Sequence, residues 1–128
     1  MTLLIQHYRE SLNTVLRTVV TDPEVIIDGD FSSDNVKKGI AFNIVGINQE
    51  RILSAGFSLE SINFDILIIA KTRFDCDTIA TVLINELQFY RDEDWQRFYL
   101  SNFSDVEFNP YEDLFYVNKI QVRGYLQR

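Results

Sequence analysis

Apolar residues near the start of the chain recur at Leu4/Ile5, Tyr8, Leu12, Val15/Leu16 and Val19, the spacing that lines one face of an α-helix. Asp22-Pro23 closes that helix, because the residue before a proline is pushed out of helical geometry. The period then shortens. "EVIID" is a β-branched run closed by Asp28-Gly29, and "GIAFNIVGI" is a second strand-like run after the polar interval from Ser32 to Lys38. In "INFDILIIAK", Ile62, Phe64, Ile66, Ile68 and Ala70 alternate with Asn63, Asp65, Leu67, Ile69 and Lys71. This predicts a strand whose first half is partly exposed and whose second half is buried on both faces.

From Asp77 onward Ile79, Ala80, Leu83, Leu87 and Tyr90 return to helical spacing. Asp75 or Asp77 then stands at the N-cap, where a carboxylate accepts the first unpaired backbone N–H groups and complements the positive end of the helix dipole. The segment "YRDEDWQRFYL" reads as the end of this helix, with Asp92-Glu93-Asp94 solvated and Trp95, Phe98 and Tyr99 closing the core beneath. A short strand at Val106–Phe108, a turn at Asn109-Pro110 and a long terminal strand follow. In that strand Leu114, Tyr116, Ile120, Val122 and Leu126 line one face, taken as core, and Phe115, Val117, Lys119, Gln121, Arg123 and Tyr125 line the other. The order of elements predicts an α+β fold: two helices on one face of a mostly antiparallel, four- to five-stranded sheet.

Composition sets the scale of this fold. With 128 residues, 46% hydrophobic and 13% aromatic, the chain has material for one packed core, and a single domain is expected. No stretch approaches the roughly 18 apolar residues of a membrane span. "MTLLIQHYRE" turns polar too early for a signal peptide, so a cytoplasmic site of synthesis and assembly is expected. One cysteine forms no intramolecular disulfide. The formal net charge of −7 argues against a general nucleic-acid binder, because phosphate contact relies on clustered Lys and Arg.

Candidate chemistry is sparse. Asp75-Cys76-Asp77 could hold an activated thiol, since a helix N-terminus lowers a thiol pKa. The flanking carboxylates push the other way, and no His or Lys adjoins to take the proton, which favours a structural joint with a semi-buried thiol. Zinc takes about four ligands, whereas the chain offers one Cys and one His, far apart. "DGDFSSD" spaces Asp28, Asp30, Ser32 and Asp34 like the start of a calcium loop, yet Gly39 occupies the position where a bidentate glutamate is required. His7 lacks a readable partner and reads as a surface or rim residue. Asp105 and Glu107 share one side of a strand, but acid/base work needs a pocket that separates their pKa values. No phosphate loop, G-x-S-x-G or H-E-x-x-H occurs, and neither enzymatic activity nor a cofactor is expected.

An interaction protein remains. The amphipathic first helix ending at Asp22-Pro23, the strand "FDILIIAKT" running straight into "DTIATVLINELQFY", and the aromatic-rich final strand "DLFYVNKIQVRGYLQR" together resemble the tail terminator, or tail completion, proteins of tailed bacteriophages. The likeness is one of pattern and is best over residues 62–128. It implies a structural virion protein of the neck region that forms a ring, commonly hexameric. Such a ring caps the tail tube, ends its polymerisation and meets the head-side connector, with DNA passing through the lumen without specific binding. A small domain with surplus strand edge can bury it against copies of itself, and a contact that closes by rotation fixes the ring size. The candidate interface is Phe115, Val117, Lys119, Arg123 and Tyr125, beside an unpaired edge of the terminal strand. The alternatives are another head–tail connector or a small adaptor domain unrelated to phages.

Overall fold

The computed structural model describes residues 4–22, 25–27, 38–52, 57–108 and 115–126. Their order is α1 (Leu4–Val19), β1 (Val25–Ile27), β2 (Lys38–Ile52), β3 (Phe57–Ala70), α2 (Arg73–Leu87), β4 (Trp95–Phe108) and β5 (Phe115–Leu126). The strands form one sheet in the order β1-β2-β3-β5-β4, with β1 parallel to β2 and every other pair antiparallel. The fold is α+β, as the alternating periods predict. The acidic run from Asp28 to Asp34, the Asn109-Pro110 turn and Leu114 lie outside the described residues.

One hydrophobic cluster holds the molecule together. It joins Tyr8, Leu12, Val15, Leu16 and Val19 of α1 and Cys76, Ile79, Ala80, Leu83 and Leu87 of α2 to the sheet residues Ile62, Phe64, Ile66, Ile68, Ala70, Ile120 and Val122. Even-numbered side chains of β3 from Ile62 to Ala70, and Ile120 and Val122 of β5, therefore form the core face, as a period of two requires; Tyr116, expected there, is instead exposed at the end of the strand with Arg73 over its ring. Ile5 falls outside the stripe and is exposed. On the opposite face of β3, Asn63, Asp65, Leu67 and Ile69 are all half-buried, so the second half of the strand is not covered on both faces as expected.

The largest departure from the sequence reading is β4. Trp95, Phe98 and Tyr99 fit a helical stripe on paper, yet α2 ends at Leu87 and residues 95–108 form a strand of 14 residues rather than one confined to Val106–Phe108. Beyond the helix end, Asp92 shapes the turn into β4. Its Oδ1 accepts from the backbone N–H groups of Asp94 at 2.7 Å and Trp95 at 2.8 Å, and its Oδ2 accepts from the Tyr90 hydroxyl at 2.8 Å. A side chain that captures backbone donors in this way offers the chain an alternative to continuing the helix. Trp95 then turns into the core, fully buried, and its indole N–H donates to Ser11 Oγ at 2.8 Å, tying β4 to α1. Strand alternation sends Phe98 inward at 5% exposure and Tyr99 outward at 62%, which is why Tyr99 does not close the core.

The start of α2 also differs. Thr72, not an aspartate, is the N-cap: it has extended backbone geometry and its hydroxyl accepts from the Asp75 N–H at 3.1 Å. Asp75 thus stands three residues in, the place of the acidic partner in a capping box. Asp77, two residues further on, accepts from Asn118 Nδ2 at 3.2 Å, so it satisfies a buried side chain of β5 rather than the helix terminus.

Candidate functional site

Two readings of the polar joint before α2 were open, and the geometry favours the structural one. Cys76 is fully buried, and its Sγ lies 3.3 Å from the carbonyl oxygen of Ile68 and 3.5 Å from that of Tyr116, bridging α2 to β3 and β5. Burial pushes its pKa up from 9.0 to about 11. The charges of Asp77 and Asp105 push the same way, and the backbone N–H of Asn118 and the charge of Arg73 oppose them. This is a protonated, inaccessible thiol, the reverse of what a nucleophile requires. His7 is exposed and tilts against Tyr8 at 5.9 Å. Asp105 pairs with Arg73 at 3.2 Å on the surface. Among the described residues no group of three or more His, Cys, Asp or Glu side chains could hold a metal.

The residues expected at an interface sit together on the side of β5 opposite Ile120 and Val122, but not as expected. β5 is an interior strand, paired with β3 along Tyr116–Tyr125 and with β4 along Phe115–Leu126, so it has no open edge. Val117 is 6% exposed, in register between Ile69 of β3 and Val106 of β4. Neighbouring strands on both sides cover it, and it is not a free contact residue. The Phe115 side chain lies outside the described set.

The other three residues are half-buried and already engaged within the chain. Lys119 reaches Asp65 at 3.6 Å, and Arg123 Nε donates to Asn63 Oδ1 at 2.9 Å. The Arg97 guanidinium stacks over the Tyr125 ring at 4.7 Å. A shallow depression of about 850 Å³ opens beside Arg97, Tyr99, Arg123 and Tyr125.

The open edges lie elsewhere. Among the described residues β4 pairs with one strand only, β5, so its outer edge has no strand partner along Gln96–Phe108. On the far side of the sheet β1 pairs with β2 from Lys38 to Ile40, and among the described residues the outer edge of β2 has no strand partner from Ala41 to Ile52. Each edge strand is interrupted by register shifts, at Ile44/Gly46 in β2 and at Trp95/Arg97 and Leu100/Asn102 in β4. Large apolar side chains stand out along both: Val45 at 65% exposure, Tyr99 at 62% and Phe103 at 44%. A signal for this was present. Residues 39–49 of β2 contain no charge and no proline, and Gln96–Ser104 of β4 contain only Arg97, whereas a strand edge meant for water is usually blunted by such residues. The chain matches no protein-family model and no curated protein sequence.

Proposed function

We propose that this chain is a structural subunit of a phage tail, of the terminator kind: a ring-forming protein that caps the tail tube, ends its polymerisation and joins it to the head-side connector. The observation that carries the reading is a sheet ending in two different long edges on opposite sides. One unlike edge on each side is the requirement for a heterologous contact, and heterologous contacts that close by rotation generate rings. The net charge of −7 suits a channel that DNA traverses without sticking, through like-charge repulsion at short range.

Light-scattering mass together with electron microscopy of tails tests the reading. The expected result is a discrete ring, and tails of uniform length when tube subunits polymerise in the presence of the protein. A protein that stays monomeric at high concentration and never binds tube ends would remove the proposal.

A further inference from the structure

We infer that neighbouring copies join edge to edge, the outer edge of β4 in one copy pairing antiparallel with the outer edge of β2 in the next, so that the sheet runs unbroken across the subunit boundary. The inference rests on the ring reading and specifies its contact. Strand direction supports it first. β2 and β5 run one way and β3 and β4 the other, so the four long strands alternate in direction across the sheet. A copy carried round an axis along the strands keeps its directions. Its β2 then arrives beside β4 of the previous copy already antiparallel, the geometry that β4 and β5 use within the chain.

Length and chemistry agree with direction. Among the described residues the stretch of β2 without an outer strand partner, Ala41–Ile52, and that of β4, Gln96–Phe108, match to within a few residues. The registers through β3 and β5 set Ala41–Asn48 of β2 at the same height along the strands as Arg97–Ser104 of β4, so rotation without a shift along the axis brings these two stretches face to face, each with one register shift inside it. Asn43, Val45 and Asn48 on one edge and Tyr99, Ser101, Asn102 and Phe103 on the other are exposed and nearly free of charge. A second copy is the occupant because the same chain supplies both halves in matching direction and length.

Disulfide scanning in a Cys76→Ser background tests this contact. Asn43, Val45 and Asn48 are changed to Cys one at a time, each combined with Tyr99→Cys, Ser101→Cys or Phe103→Cys. Within one chain the two edges stand three strand spacings apart, about 14 Å, and a disulfide needs Cα atoms within about 7 Å, so a bridge can form only between copies. The expected result is that at least one pair oxidises to a ladder of covalent oligomers ending at the ring. In parallel, Val45→Lys and Phe103→Lys should shift the wild-type ring to monomer mass with an unchanged melting temperature. Rings of normal mass with no cross-link from any pair, and both lysine variants still assembled, would overturn the edge contact and leave the ring reading intact. A wild-type protein that forms no ring overturns both.

Discussion

Gly124 shows how little slack the core has. A Cβ built on it would lie 2.5 Å from Trp95 Cζ3 and 2.9 Å from Phe98 Cε1, both on β4 beside it. Trp95 is fully buried and Phe98 nearly so, their rings 4.9 Å apart, so neither can swing aside without disturbing the other. Gly124→Ala should therefore destabilise by about 1–3 kcal/mol, the usual cost of overpacking. Urea unfolding checks this, and an unshifted midpoint would show that the aromatic pair yields. A second test at this scale uses pH. Burial raises the pKa of Cys76 from 9.0 to about 11, and burial together with the bond to Asp92 raises that of Tyr90 from 10.0 to about 12. Both groups hold their proton more tightly folded than unfolded. Their contribution is complete below pH 9 and is lost as pH rises toward 11 and 12. Stability measured at intervals from pH 8.5 to about 11 should fall, and Cys76→Ala should flatten the early part of that slope.

At the scale of elements, the start of α2 separates three side chains by role. Thr72→Ala removes the cap and should cost about 0.5–2 kcal/mol. Asp77→Ala leaves the buried Asn118 amide without that acceptor, for about 1–3 kcal/mol. Asp75→Ala loses only a favourable charge near the dipole and a 3.9 Å contact with Lys38, about 0.3–1 kcal/mol. Equal melting temperatures for all three variants would dissolve this division. Periodicity made α1, β3, α2 and β5 readable from the chain, because each repeats apolar residues at its own period, although β5 buries Val117 on the face opposite Ile120 and Val122. The cap was misplaced because Thr72, Asp75 and Asp77 are all capping residue types, and only the backbone geometry distinguishes them. β4 was misread because an aromatic run of a few residues fits both periods. The Asp92 bonds that decide it run to backbone groups that no pattern of side chains displays.

At the scale of the molecule, the terminal strand and its core residues Ile120 and Val122 were readable, but the burial of Val117, the exposure of Tyr116 and the strand's place in the sheet were not. Whether a strand lies at an edge depends on which others pair with it, and pairing order leaves no periodic trace in the sequence. Moving β5 to the interior transfers the expected assembly surface to β2 and β4, and it changes what a mutation at Val117 reports. Val117→Asp would bury a charge and so measure folding rather than assembly. The burial of the single thiol reaches further. Cys76 has no exposed surface in the folded chain, so a thiol reagent gains access only when α2 lifts from β3 and β5. The wild-type protein thus carries its own clock for opening: the labelling rate of this one sulfur counts how often the core parts. In the proposed ring, the same count taken before and after assembly would measure how far a neighbouring copy slows this opening.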